Sequence, residues 1–400
     1  MQFWEFVFLL SCFLVFYNYA GYAILAYVIT LVAKKRAVSE INTKNLPTVS
    51  FIVAAYNEED FIEKKIINSL SLEYPESLIE FIFITDGSTD NTNATIGHFP
   101  SVKLLYQAER GGKSAALNRA VKAANNDILI FSDANTTLNK DVILNIVKHY
   151  QDEKTGGVAG EKKVVNPSDK PDEVGTGEGL YWKYESLLKR IDSKFYSVVG
   201  AAGELFSIRR SLYEPVPHNL ILDDFIISLK VAQKGYRIIY EPDAYAAELP
   251  SFSIRDEQKR KIRIAAGGFQ AIGMLTGLFK FWKYPRLSFL YISHRLMRWT
   301  VSPLCLIFAF ISNMILFIQS GNSVYKITFM LQLAFYLMAV AGTTGVLRRF
   351  KLLKLPYYFT FMNISVIQGF FRHLKGGQSA IWEKAKRSSG LAHTQQANNN

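Results

Sequence analysis

Residues Asp127 to Thr137 read Asp-Ile-Leu-Ile-Phe-Ser-Asp-Ala-Asn-Thr-Thr, and this stretch decides the fold of the chain. Its first half is an apolar, β-branched run, the composition of a strand buried in a parallel sheet. The run stops at Asp133-Ala134-Asn135, which sets a carboxylate and an amide just past the strand's carboxyl end. Open α/β sheets bind ligands in the crevice outside those ends. Two oxygen-bearing side chains separated by one small residue can both reach a hard divalent cation that bridges phosphates. The same Asp and Asn would equally serve to cap a following helix.

The pattern repeats on either side. Val49 to Ala55, Leu78 to Thr85 and Val102 to Tyr106 read as strands. The first ends at Tyr56-Asn57-Glu58-Glu59, where Asn57 suits a helix N-cap and the two acids its first turn. The second ends at Asp86-Gly87-Ser88-Thr89-Asp90, and Glu109-Arg110-Gly111-Gly112-Lys113-Ser114 leads into an Ala-rich helix reaching Ala124. Strands alternating with helices of this length predict βαβ units and a mostly parallel sheet with one polar, functional edge. Beyond it, Gly156 to Val165 suggests one or two strands, Tyr181 to Phe195 a helix, and Ser197 to Arg210 a small-residue turn followed by a strand. Leu222-Asp223-Asp224-Phe225 opens a helix to Lys234, and Tyr236 to Tyr240 forms a strand closed by Pro242.

The totals call for more than a soluble domain. Of the 400 residues, 49% are hydrophobic and 20% charged, too apolar for the first class and too charged for a pure membrane bundle. The net charge of +12 is concentrated beside apolar segments, at Lys34-Lys35-Arg36, Arg255 to Arg263, Arg348 to Lys354 and Arg372 to Arg387. That placement favours a cytoplasmic membrane face and contact with membrane lipids over a nucleic-acid groove. Cys12 and Cys305 both lie in apolar runs, which argues against a disulfide framework.

Residues 3 to 33 are long and apolar enough to span a bilayer, and the charges follow the segment, unlike the basic start of a signal peptide. Lys34-Lys35-Arg36 then places the next domain in the cytosol. Arg255 to Phe281 reads as a helix in the membrane interface, with His294, Arg295 and Arg298 snorkelling to headgroups near the start of the next span. Tyr291 to Ile318 and Ile327 to Leu347 read as spans, and Leu355 to Leu374 reads as a third on its length alone, with an interfacial place as the alternative that its basic tail would suit. The expected organisation is an anchor over 1–35, an α/β domain over 45–250, interfacial helices over 251–285, membrane helices over 286–375 and a basic, partly disordered tail over 376–400.

Taken in order, Tyr56-Asn57-Glu58-Glu59, Asp86-Gly87-Ser88-Thr89-Asp90, Gly112-Lys113-Ser114 with Asn118, Asp133-Ala134-Asn135 and Asp223-Asp224 resemble the motifs of family 2 glycosyltransferases. The resemblance covers about residues 45 to 270 and is strongest to membrane-integrated members similar to cellulose, hyaluronan and poly-N-acetylglucosamine synthases. It implies a GT-A fold, a Rossmann-like α/β domain. It further implies a hexosyltransferase with a nucleotide-sugar donor, a UDP-sugar by family habit, and a multi-pass protein of the inner cell membrane.

The site residues follow from chemistry and resemblance together. Asp86 stands where a carboxylate can accept from a uracil N–H, the family's use of it, though Asp before Gly and Ser also suits a plain turn. Tyr56 would offer a face to the base and Glu58 a contact to the ribose. Lys113, after two glycines and before a helix, suits a phosphate. Asp133 and Asn135 would face the diphosphate and its Mg2+ or Mn2+, but many relatives carry Asp at both positions and an amide is the weaker ligand. Asp224 matches the last residue of the family's Thr-Glu-Asp signature and is the expected general base, with Asp223 and Gly203 on the acceptor side. Two adjacent carboxylates repel, which raises the pKa of one toward a useful value. Arg260 and Arg263 lie where processive relatives carry Gln-x-x-Arg-Trp, and Arg263 matches the Arg that pairs with the leaving diphosphate.

The Gln and the Trp of that motif are absent here, which favours transfer of one sugar to a lipid-linked or glycan acceptor. Likeness in membrane placement favours a processive polysaccharide synthase, which would call for a homo-oligomer or an export partner. Two readings from other classes are a nucleotidyltransferase or nucleotide-sensing membrane protein, with no use for Asp224 and Arg263, and a transporter with a cytosolic regulatory domain.

Overall fold

The computed structural model describes residues 1–32, 45–165, 173–250, 253–344 and 350–376. The anchor's basic flank at Lys34-Lys35-Arg36, the arginines at 348 and 349, and the tail from 377 onward lie outside the described residues.

The apolar runs pair into one sheet built from β1 (Val49–Ala55), β2 (Ile79–Thr85), β3 (Lys103–Leu105), β4 (Ile128–Asp133), β5 (Thr137–Leu138), β6 (Thr155–Val164), β7 (Leu205–Arg209) and β8 (Arg237–Glu248). Their order is β3-β2-β1-β4-β7-β6-β8-β5. β1 runs parallel to both β2 and β4, β2 to β3, and β6 to β8, whereas β7 and β5 run antiparallel to their neighbours. The result is the mixed, mostly parallel sheet of an α/β domain. Every residue of β1 is buried, as a strand covered on both faces requires.

The chain leaves β1 for β2 and β3 on one side and then crosses back to β4 on the other, which makes a topological switch point between β1 and β4. Ala55 pairs with Thr85 and Ala54 with Asp133, so the residues after β1, β2 and β4 emerge level with one another. Alternate residues feed two cores. Phe51 and Val53 pack with Ile62, Ile66, Ile143 and Ile146, and Ile52 and Ala54 with Leu117, Ala120 and Ile226. Each such Ile or Phe contributes roughly 1.5–3 kcal/mol on burial, so a charge at Phe51 or Ile52 would break the centre of the sheet.

Two local readings are corrected. β8 does not close at Pro242. It runs to Glu248, because the register shifts between Gly160 and Glu161 and residues 242–244 bulge out of the ladder, where a missing N–H does no harm. Asn57 is not an N-cap. It has φ +52°, and its side-chain amide is paired with Thr89, accepting from the Thr89 N–H at 2.8 Å.

Helices complete the chain. α1 (Gln2–Phe16) and α2 (Tyr22–Val32) are joined by the wider turn Tyr17–Gly21. α3 (Ile62–Leu70), α4 (Thr92–Gly97), α5 (Lys113–Ala123), α6 (Val142–Val147), α7 (Glu173–Phe195) and α8 (Asp223–Gln233) belong to the α/β domain. α9 (Ile254–Met274) is capped by Ser253, whose hydroxyl accepts from the Asp256 N–H. α10 (Pro285–Leu290) and α11 (Met297–Trp299) flank the wide turn Tyr291–Leu296, and α12 (Val301–Gln319), α13 (Ser323–Ala341) and α14 (Lys351–Leu374) follow. Three helical stretches, Gln2–Val32, α12 and α13, are long and apolar enough to cross a membrane, and the chain is a membrane protein on that ground. α14 is not among them, despite its length. It lies against α9, close enough that a Cβ on Gly369 would come within 2.5 Å of Ala265.

The cations near the second span do not snorkel. His294 is fully buried and Arg298 nearly so. Glu185 of α7 pairs with Arg298 and, at 2.9 Å, with Arg295, and Asp192 pairs with His294 Nδ1 at 2.6 Å. Tyr22 donates to the same Asp192, and the Asn18 amide donates to the Ser293 carbonyl at 2.7 Å. A charge held by a buried carboxylate on a distant helix has no reason to seek headgroups, and these bonds fasten the first membrane helix to the α/β domain.

Candidate active site

The site grows from β4. Its last residue, Asp133, is a strand end by composition, and antiparallel β7 enters beside it, with Leu205 opposite Ser132. The loop before β7 needs glycine at Gly200 and leaves little room beside Gly203. Gly200 has φ +84°, and a Cβ there would lie 2.0 Å from the Phe225 ring; one on Gly203 would lie 3.3 Å from Lys113 Nζ and 3.5 Å from Asp224 Oδ2. Gly112, with φ +88°, turns the chain into α5, so that Lys113 occupies its first position. Asp223 and Asp224 form the first turn of α8, where the helix dipole favours negative charge. The fold thus brings Lys113, Asp133, Gly203, Asp223 and Asp224 together from four separate stretches of chain.

Their charges are coupled. Lys113 donates to Asp133 at 2.8 Å. Burial opposes the Lys113 charge, but Asp133, Asp223 and Asp224 outweigh it and hold the ammonium above its usual range. Burial and then the Asp223 charge push Asp224 up to about 8, with Lys113 pulling the other way. Asp223 is 4% exposed, and its Oδ2 has no hydrogen-bond partner among the described residues.

These groups open on a cavity of about 1400 Å³ that Glu58, Asn135, Arg260 and Arg263 also line. It continues past Gly203 and Glu204 to Tyr184 and Arg298, and reaches Tyr19 of the first membrane stretch and Tyr358 and Met362 of α14. Arg260 lies 3.6–3.8 Å from each of Glu204, Glu248 and Glu257.

Asp86 and Tyr56 stand outside this lining. Both Asp86 oxygens accept backbone N–H groups, from Gly111 at 2.9 Å and Gly112 at 2.7 Å, which pins the loop before Lys113. The Arg110 guanidinium covers the Tyr56 ring at 3.6 Å from its centre. Both lie beside the sheet's switch point, next to the cavity's Glu58 and Lys113.

Sequence reasoning missed three contributors. Lys65 is 2% exposed and donates to Ser132 and Thr136, bracing the turn that carries Asp133 and Asn135, while burial draws its pKa down to about 7. Its signal was a lysine on the buried stripe Ile62, Lys65, Ile66, Ser69 of α3. Glu204 is held by Lys162 at 2.6 Å, and Lys162 also pairs with Glu248. Aromatic residues of α7 line the membrane-side half of the cavity. No local pattern marks the last two.

No group of three or more His, Cys, Asp or Glu among the described residues is placed to hold a metal ion. Asp133 and Asn135 nonetheless offer two hard oxygen donors to the cavity, which suits a cation whose remaining ligands come from phosphate.

Residues 50–216 match the family model described as glycosyl transferase family 2, a stretch that runs from β1 through β7 and carries Lys113, Asp133 and Gly203 of the site. Over 243 residues the chain is 31% identical to a poly-β-1,6-N-acetyl-D-glucosamine synthase of Staphylococcus aureus (strain MSSA476), covering 58% of this chain and 57% of that protein. The synthase of the same name from Staphylococcus epidermidis is 29% identical over 231 residues, covering 56% and 55%. The chain spans little more than half the length of these relatives. In fold it is similar to a mannosyltransferase from Pyrobaculum calidifontis, solved with GDP-Man and Mn2+, with a TM-score of 0.67, 22% identity, and coverage of 93% of this chain and 99% of that one.

Proposed function

We propose that this chain is a membrane-bound inverting glycosyltransferase. It moves a sugar from a nucleotide-sugar to a lipid-linked or saccharide acceptor in cell-envelope glycan synthesis, with its α/β domain in the cytosol. The observation that carries this reading is the convergence of Asp224 and the Lys113–Asp133 pair around Gly203, in a cavity shared with the membrane-side helices.

The chemistry follows from that arrangement. Asp224 takes the proton of the acceptor hydroxyl, whose oxygen attacks the anomeric carbon from the face opposite the nucleotide. The bond to the diphosphate breaks, its electron pair leaves with the diphosphate, and the anomeric centre inverts. Lys113 and Arg263 balance the departing charge, with Arg260 behind them. Asp133 and Asn135 would hold a divalent cation, Mn2+ or Mg2+, whose charge offsets that of the diphosphate. Tyr56, Glu58 and Asp86 serve the nucleoside, and Asp223 and Gly203 the acceptor side. UDP-N-acetylglucosamine is the first donor to test, given the names of the relatives.

The test is nucleotide release by the full chain in lipid nanodiscs across UDP- and GDP-sugars with Mn2+ or Mg2+, with products sized by mass spectrometry. Release with one donor supports the reading. A folded protein that binds nucleotide yet releases none from any donor overturns it in favour of a nucleotide sensor. A processive synthase is the second reading, favoured by the relatives' names and by the reach of the cavity to α14. A ladder of products would select it over single transfer.

A further inference from the structure

Lys189 of α7 is a buried cation that the proposed chemistry does not use. It is 2% exposed, lines the cavity, and its Nζ finds no hydrogen-bond partner among the described residues. An ammonium carries three donors and is costly to bury with none of them matched. Burial draws its pKa below the usual range, and three carboxylates, Glu161, Glu204 and Glu185, act the other way to hold its charge, yet each is engaged elsewhere. Glu161 accepts from Ser186 and Tyr240, Glu204 from Lys162, and Glu185 from Arg295 and Arg298.

The place of this ammonium is informative. Glu204 acts on the charges of both Lys189 and Asp224, and all three line one cavity, with Lys189 in the part that carries the aromatic residues of α7. Tyr181, Trp182 and Tyr184 line the same part of the cavity, and Lys189 Nζ lies 5.7 Å from the centre of the Trp182 ring. Aromatic walls with a few buried, convergent polar groups are the construction of a site for a small ring-shaped ligand. Glu185 and Glu204 are already paired with arginines and a lysine, so what the Lys189 donors lack is an acceptor, which the neutral hydroxyl or amide oxygens of a sugar supply.

We infer that Lys189, with Trp182 and Tyr184, forms a subsite for a saccharide unit of the acceptor, held one residue inward of the sugar that is attacked. This inference rests on the glycosyltransferase reading for its place in the reaction, but the binding it asserts stands or falls by itself.

The test is calorimetric titration of the full chain in nanodiscs, wild type and Lys189→Met, with β-linked N-acetylglucosamine and glucose tetrasaccharides and, separately, with UDP. Met keeps most of the unbranched side chain and removes the buried charge and its donors. The expected result is a tetrasaccharide affinity weakened roughly tenfold or more, with UDP binding unchanged, and partial recovery in Lys189→Arg. Trp182→Leu should weaken the same titration and leave UDP alone. An affinity unchanged within about twofold in Lys189→Met, or no tetrasaccharide binding by the wild type, overturns the subsite. So does Lys189-dependent binding of a polyprenyl phosphate in place of the sugars. Nucleotide release, measured in parallel, decides the transferase reading independently of these outcomes.

Discussion

Lys113 Nζ lies 2.8 Å from Asp133 Oδ1, so the cation at the start of α5 is bound to the carboxylate at the end of β4. A diphosphate entering with a divalent cation would compete for both partners, moving the ammonium from carboxylate to phosphate. Lys113→Met should weaken UDP binding by roughly tenfold to a hundredfold, the worth of one or two charge-assisted hydrogen bonds. Titration calorimetry checks it. An unchanged affinity would leave the pair a purely structural one.

Asp224→Asn should cut sugar transfer by roughly 10²–10⁴-fold and spare nucleotide binding. With its carboxyl pushed up to about 8, the wild-type rate should climb with pH and level off above that value. The same shift fixes a stability trend. The folded pKa lies above the ordinary 3.8, so the unfolded chain gives up this proton first. The stability held by Asp224 is complete below the ordinary value and is lost as pH rises through about 8. The Asn variant should therefore melt higher than wild type at pH 8 and lose its advantage toward pH 4, by roughly 2–4 °C for each kcal/mol involved. Thermal melts in detergent at the two pH values measure it.

What the sequence made legible was whatever depends on local pattern. The apolar runs at Val49, Ile79 and Ile128 each ended where the structure ends them, and their polar successors share one edge. The Asp133-Ala134-Asn135 turn reaches the cavity because it follows a strand end at the switch point, and the expected base Asp224 meets it there from the first turn of α8. Where a residue's state is set by a distant partner, the reading failed. Arg298 looks like a snorkelling cation until Glu185, far upstream, is seen beside it. Pro242 looks like a strand end because the bulge that tolerates it, residues 242–244 of β8, shows only when β8 is paired with β6. Asn57 suits an N-cap by type, but its left-handed backbone and its bonds to Thr89 come from the neighbouring loop.

Gly200 and Gly203 should separate stability from activity. At Gly200 a methyl group would strike Phe225 at 2.0 Å on a backbone with φ +84°. Strain of about 1–2 kcal/mol and overpacking of about 1–3 kcal/mol should lower the melting temperature of Gly200→Ala. At Gly203 the methyl group would instead meet Lys113 Nζ and Asp224 Oδ2 at 3.3 and 3.5 Å. Gly203→Ala should keep its melting temperature and lose turnover. Equal melting losses in both variants would refute the distinction.

Glu185→Gln tests the fastening of α7 to the chain around Arg298. Removing one partner from a buried ionic cluster leaves two arginines facing an amide, a loss of about 3–5 kcal/mol. Thermal unfolding in detergent should show the drop, with the double variant Glu185→Gln, Arg298→Met regaining part of it. A single variant as stable as wild type would mean that water already shares these charges.

Asn135→Asp addresses the cation directly. In the proposed site Asp133 supplies a single carboxylate, and its partner across Ala134 is a neutral amide. A second carboxylate adds a full negative charge next to a doubly charged ion, at an edge where Lys113 already offsets part of the field. The Mn2+ concentration for half-maximal transfer should fall by roughly tenfold, the effect of about 1.4 kcal/mol. UDP affinity without metal should weaken, because the added charge then repels the diphosphate. The two opposite shifts belong together. Tighter metal dependence without weaker metal-free binding would place Asn135 away from the phosphates, and no change in either would place the cation on other ligands.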